Sequence, residues 1–223
     1  MGFPGTYYLA FRDLPSIFAE HVRGTRALDV GCGTGRSSRF LRGLGFEVVG
    51  VDISRPMLDR ALNLDPDGDY RLMGEDRLDS IEEESFDLIL SAFTFDNIGT
   101  LERRESTLAL LRERLGEGGR LVSVVSSPEI YVNEWASFST ADYPENREAR
   151  SGDSVSIVML DVSDRRPVVD VVCTDEDYRA MYGRARLGVL DVLRPLATGA
   201  EPLEWVSETE IAPWVIYVLG SGR

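Results

Sequence analysis

The stretch Ala27-Leu28-Asp29-Val30-Gly31-Cys32-Gly33-Thr34-Gly35 puts three alternate glycines directly behind an apolar strand end. Such a turn lets backbone approach a ligand closely and aims unpaired amides at it. A dinucleotide fingerprint needs Gly-x-Gly-x-x-Gly, and here the position of the last glycine is Arg36. Asp29, just ahead of the first glycine, would repel a pyrophosphate but suits a ligand carrying a cationic amino-acid group. It can act by direct contact, or from behind by holding the amides of the loop. Asp52 ends the apolar run Val48-Val49-Gly50-Val51, at a spacing from Gly31 that brings an acid to both hydroxyls of a ribose. Ile53 follows, and with Met57 it can sandwich an adenine. Gly74-Glu75-Asp76 then offers an acidic pair to an adenine amino group, and either acid can be the one that meets it.

A second group of residues has the chemistry of an acceptor site. Ser85-Phe86-Asp87-Leu88-Ile89-Leu90-Ser91 reads as a strand, followed by Ala92-Phe93-Thr94-Phe95-Asp96-Asn97. Asp96 or Asn97 either caps a helix or faces a ligand. Farther on, Pro128-Glu129-Ile130-Tyr131-Val132-Asn133-Glu134-Trp135 mixes aromatic rings with acids, which serves packing and can also hold an amine or an aromatic molecule. The chain has no lysine, which excludes Schiff-base chemistry. Its single histidine, His21, reads as a residue of a surface helix ahead of the glycine turn, so a general base must be a carboxylate or a tyrosine. Asp96 and Glu134 are the candidates for base or orienting group, unless the acceptor is a neutral nucleophile that needs none. One acid in the loop after this strand is too few for a divalent cation, and no metal is expected. Cys32 and Cys173 form neither a disulfide framework nor a zinc cluster, and both read as packing residues.

These residues need a scaffold of alternating strands and helices. Segments 27–30, 47–51, 70–73, 86–90 and 120–125 are short and apolar, as strands buried on both faces are. Segments 36–44 and 101–115 carry apolar residues at helical spacing and stop at Gly45 and Gly116, while Ser54 and Pro56 open a further helix. Residues 127–153 lose this rhythm. Segments 155–161 and 168–173 read as a hairpin, Thr174 caps an acidic helix start, and 187–193 and 214–219 supply closing strands. A hydrophobic fraction of 43% supports one domain of ordinary size. A net charge of −14 argues against a nucleic-acid surface, which needs a cationic footprint. With no apolar run long enough for a bilayer and no signal-peptide start, no membrane association and a cytoplasmic protein are expected.

The glycine turn, the acid at 52, the acids at 75–76 and the strand at 85–91, in this order, resemble the class I S-adenosylmethionine-dependent methyltransferases. The resemblance covers roughly 25–125 and extends more weakly to the C-terminus. It implies an α/β Rossmann-like fold, with a mostly parallel seven-stranded sheet, helices on both faces and a lid insertion after the fifth strand. The single domain 1–223 then divides into an N-terminal helical segment (1–24), a cofactor-binding core (25–126), a lid (127–173) and a closing helix and strands (174–223). S-adenosylmethionine is the implied cofactor and S-adenosylhomocysteine its product. The resemblance gives Gly31, Cys32, Gly33, Gly35 and Asp29 to the methionine end, Asp52 to the ribose, and Ile53, Met57 and Glu75 or Asp76 to the adenine. Ser91 and Phe93 would lie beside the methionine moiety, with Tyr8 over the cofactor. Asp96 and Glu134 would serve the reaction, and Phe95, Tyr131 and Trp135 would hold a small-molecule acceptor of unidentified structure. A protein of the same fold that binds the cofactor without methylating is the alternative; a nicotinamide oxidoreductase is disfavoured by Arg36 and Asp29.

Overall fold

The computed structural model describes residues 3–74, 81 and 85–222. Strand β1 (Arg26–Val30) pairs in parallel with β2 (Glu47–Asp52) on one side and β4 (Phe86–Ala92) on the other. Beyond β2 lies β3 (Asp69–Leu72), and beyond β4 lies β5 (Leu115–Ser126), both again parallel. Strand β10 (Trp214–Ser221) runs antiparallel between β5 and β9 (Leu187–Leu193). Among the described residues the sheet therefore has seven strands in the order β3-β2-β1-β4-β5-β10-β9, with β10 alone reversed. Its strand order turns back between β1 and β4, so the crevice beyond their C-terminal ends is where such a sheet takes a ligand.

Two buried apolar clusters cover the two faces, and the pleat sorts residues between them. Leu88 and Leu90 enter one cluster and Ile89 the other; Ile216 and Val218 oppose Val215, Tyr217 and Leu219 in the same way. On one face lie α1 (Tyr7–Arg12), α2 (Leu14–His21) and Leu41 of α3 (Arg36–Gly43). The other face takes Leu108 and Leu111 of α5 (Leu101–Glu113) together with Tyr178, Met181 and Tyr182 of α6 (Asp175–Arg184). Helix α4 (Arg55–Leu64) buries Leu58 and Ala61 beside β2 and β3.

After β5 the chain leaves the sheet. A 3₁₀ turn at Pro128–Tyr131 leads to β6 (Phe138–Ser139), another such turn at Pro144–Glu148, and the antiparallel pair β7 (Ser154–Met159) and β8 (Pro167–Val171). Strand β6 adds to β7, so the expected hairpin is part of a three-stranded sheet. Helix α5 stops at Glu113 rather than 115, because Leu115 already pairs with Phe86 in β5. The glycines at 116, 118 and 119 loop out before the register resumes at Arg120 opposite Leu88. Ser54 sits at the N-cap of α4 without a side-chain capping bond; its amide is held by Asp52 instead. Thr174 caps α6 as expected, its hydroxyl accepting from the Asp177 amide. Among the described residues no helix is long and apolar enough to cross a membrane.

Candidate active site

The turn after β1 is left-handed at Gly31, Gly33 and Gly35, with φ of +70°, +53° and +76°. A Cβ on Gly31 would stand 2.3 Å from the Thr94 hydroxyl, and one on Gly35 2.3 Å from the Tyr70 hydroxyl. At Gly33 it would meet nothing within 4 Å. The amides of Gly31 and Cys32 donate to the Val51 carbonyl, so β2 holds the turn. Asp52 fastens it further: one carboxylate oxygen accepts from the Gly33 amide at 2.8 Å, the other from the Ser54 amide at 2.8 Å. A cavity of about 540 Å³ opens beside these groups, lined among others by Gly31, Gly33, Asp52, Ile53, Met57 and Phe93. That size lies in the ordinary range for cofactor sites.

Asp29 lies beneath the turn, 1% exposed, and does not line the cavity. Its Oδ2 accepts from the hydroxyls of Ser37 and Ser38, at 2.7 and 2.5 Å, which fixes the start of α3 from behind. Its Oδ1 has no partner. Burial pushes this carboxyl up to about 6, against the lowering effect of the two serines.

A second cavity of about 160 Å³ lies beyond the ends of β4, β5 and β10, beneath the inserted segment. Phe93 and Asn97 line both cavities, and Phe93 holds a left-handed backbone with φ of +63°. The second cavity contains two carboxylates. Asp96, 3% exposed, accepts from the Ser126 amide and hydroxyl at 3.1 and 2.9 Å. Asp170, 8% exposed, accepts at Oδ2 from the Tyr131 hydroxyl at 3.3 Å, while its Oδ1 has no partner. Burial and the facing Asp170 carboxylate push Asp96 up to about 7, and burial likewise raises Asp170. Behind them Arg104, fully buried, donates to the carbonyls of Ile98, Asp96 and Val171. The rings of Tyr7, Phe93 and Trp214 form an aromatic wall, with Phe93 and Trp214 centroids 4.6 Å apart. At the edge, Arg36 lies over Tyr7, 5.0 Å from its ring centre.

The structure thus brings Gly31, Gly33, Asp52, Ile53, Met57 and Phe93 to one cavity, and Asp96 and Tyr131 to its neighbour. Cys32 and Gly35 support the turn without lining either cavity; burial raises the Cys32 thiol, leaving it a packing group. Five expectations are corrected. Ser91 is fully buried and lines neither cavity. Phe95 is 1% exposed in the core, because the 3₁₀ turn Phe95–Asn97 sends it away from the cavities. Trp135 is likewise buried, its indole N–H donating to the Ile130 carbonyl. Glu134 is exposed and ties its own loop through the Thr140 amide and hydroxyl, far from a base's position in either cavity. Tyr8 packs on Trp205, since one helical step turns it away, and Tyr7 is the member of that pair that reaches the second cavity. Glu75 and Asp76 lie outside the described residues.

Asp170 and Arg104 were not anticipated. Both had a signal: a lone acid within the apolar run 168–172, in β8 and just beyond it, and an arginine on the same helical face as Leu108 and Leu111. A charge on a buried face is retained only where something pairs with it.

Residues 28–123 match the methyltransferase domain family. The cypemycin N-terminal methyltransferase of a Streptomyces species is 33% identical over 129 residues, which cover 56% of this chain and 51% of that protein. The demethylmenaquinone methyltransferase of Clavibacter sepedonicus is 36% identical over 110 residues, covering 45% of this chain and 41% of its own. The chain thus spans about half, or less, of the length of these curated relatives. A crystal structure of an S-adenosylmethionine-dependent methyltransferase from Clostridium acetobutylicum superposes with a TM-score of 0.67 at 16% identity, covering 97% of this chain and 92% of that one.

Proposed function

From a chain that carries a methyltransferase domain over residues 28–123 on the class I methyltransferase fold, a family that uses S-adenosylmethionine, we infer methyl transfer to a small acceptor held in the second cavity. The supporting observation is that the two cavities meet at Phe93 and Asn97, so that a cofactor in the first would abut a molecule in the second.

The residues present fit that cofactor. Asp29, buried beneath the turn, is a counter-charge that acts on an ammonium group from behind the loop. Gly33 leaves its space open to the cavity. Asp52 retains lone pairs for ribose hydroxyls while its two backbone bonds keep it in place. Ile53 and Met57, 56% and 41% exposed, are apolar surface awaiting a flat ring. When bound, the cofactor supplies an electrophilic methyl on a sulfonium. The protein's own work is then positioning and exclusion of water, which can account for much of such a rate. Asp96 lies where it can orient an acceptor or hold its proton.

The matched relatives are named for different acceptors, the N-terminus of cypemycin and demethylmenaquinone, which supports leaving the choice of acceptor to the inserted segment. Calorimetry against S-adenosylmethionine and against NAD tests the cofactor, with binding of the first alone expected. Asp52→Ala should weaken that binding by roughly 10–100-fold, through lost hydrogen bonds and a loosened turn. Tight NAD binding without S-adenosylmethionine binding would sink this reading.

A further inference from the structure

Two carboxylates and one guanidinium share the buried floor of the second cavity: Asp96, Asp170 and Arg104. Arg104 is fully engaged with three backbone carbonyls and lies 5.9 Å from the ring centre of Tyr178, whose hydroxyl donates to Asp96. Among the described residues Arg36 is the other cation lining this cavity, but it lies over Phe3 and Tyr7 and perturbs neither acid. With both acids ionised the floor carries one uncompensated negative charge, which a buried site does not tolerate. Either a proton or a bound cation must neutralise it. Asp170 lines the cavity, and its buried Oδ1 has no partner among the described residues, which identifies it as the uncompensated acid.

We propose that the second cavity binds an ammonium-bearing small molecule, whose N–H groups donate to the Asp170 and Asp96 carboxylates that line it. The inference rests on the methyl-transfer reading for its meaning, since it makes the acceptor an amine. The walls fit this occupant, because the faces of Tyr7, Phe93 and Trp214 attract a cation and contact its apolar body. A neutral alcohol would leave the negative charge standing, and a carboxylate would add a third. The same pair prepares the amine for attack: an N–H bond breaks toward a carboxylate oxygen, the proton stays on the carboxyl, and the electron pair remains on nitrogen as the nucleophilic lone pair. Each turnover then leaves a proton to be released to solvent.

Cyclohexylamine, cyclohexanol and cyclohexanecarboxylate make a set of probes of similar shape and different charge. Calorimetry at about pH 8, with and without S-adenosylhomocysteine, should give cyclohexylammonium an affinity at least roughly tenfold above the other two. Asp170→Asn should abolish that preference while the affinity for S-adenosylhomocysteine stays as in the parent protein. If Asp170→Asn does not fold, the parent protein still decides the matter. Near pH 7, measured in two buffers of different ionisation enthalpy, cyclohexylammonium binding should release a fraction of a proton from the acid pair. Equal affinity for cyclohexanol, an unchanged preference in Asp170→Asn, or binding with no proton release would each overturn the proposal. S-adenosylhomocysteine binding without ammonium preference defeats this inference alone. Ammonium preference without S-adenosylhomocysteine binding defeats the methyl-transfer reading and keeps the amine site.

Discussion

Buried carboxyls set the pH behaviour of this protein, and they act in opposite directions on folding and on binding. Asp29 and Asp96 are pushed up, to about 6 and about 7, from an ordinary 3.8, in both cases by burial first. Folding therefore favours their protonated forms. The stability this contributes is fully present below about pH 4 and is lost as pH rises through those two values. The ligand-free protein should show a melting temperature that declines between about pH 4 and pH 7. Asp29→Asn should flatten the lower part of that decline, and a steeper one would contradict the assignment. Ammonium binding has the opposite sign. It needs the acid pair ionised, so affinity for cyclohexylamine should fall as pH drops through about 7. The groups facing Asp96 at this site come from several elements: Asp170 on β8, Tyr131 on the 3₁₀ turn, Tyr178 on α6 and Arg104 on α5. The tyrosines are all held well above their usual range by burial and stay neutral, which leaves the two acids as the titrating groups.

At the level of elements, the turn after β1 separates folding from binding at neighbouring glycines. Gly31→Ala adds a methyl 2.3 Å from the Thr94 hydroxyl, itself bonded to the Val30 carbonyl, and imposes a left-handed backbone on alanine. Backbone strain alone costs about 1–2 kcal/mol and the clash adds to it, so the melting temperature should fall clearly. Gly33→Ala carries the backbone strain without the clash, and its methyl enters the first cavity. It should cost about 1 kcal/mol of stability yet weaken S-adenosylmethionine binding by roughly tenfold or more. Equal effects of the two variants on folding and binding would refute the distinction. This turn was legible in the sequence because its glycines, Asp29 and Asp52 are fixed by local geometry within one strand–turn–helix–strand unit. The inserted segment was not. Glu134 and Trp135 share an aromatic-acidic stretch with Tyr131, and no periodicity in 127–153 tells which of them faces inward. The 3₁₀ turn at Pro128–Tyr131 settles it by turning Tyr131 into the cavity while Trp135 closes back on Ile130. Asp170 needed the packing of β8 against the 3₁₀ turn Phe95–Asn97, a contact between distant residues that composition does not encode.

Across the whole molecule, three distant parts of the chain close the second cavity, and one buried acid joins them. Glu208, 0% exposed, accepts at Oε1 from the Thr6 hydroxyl at 2.6 Å and the Ala136 amide at 2.8 Å, and at Oε2 from the Val206 amide at 2.8 Å. Thr6 and Ser137 exchange two further bonds, and the Trp214 indole donates to the Thr6 carbonyl. The start of α1, the inserted segment and the entry to β10 are thereby locked in one node. Tyr7, the residue after Thr6, is a wall of the second cavity, whereas none of the node residues touches the first. Glu208→Ala strands several buried donors at once, a loss of about 2–4 kcal/mol, which for a domain of this size lowers the melting temperature by roughly 5–15 °C. Glu208→Gln keeps one acceptor oxygen and should recover part of it. Below its melting temperature, Glu208→Ala should bind S-adenosylmethionine close to normally, because the glycine turn and Asp52 are held by β1 and β2 alone. Its affinity for an acceptor or for cyclohexylamine should drop with the loosening of α1, and limited proteolysis should cut the N-terminal segment first. Loss of both ligands in equal measure would mean that the two cavities form one cooperative unit, with the N-terminal segment supporting the sheet itself and not the acceptor wall.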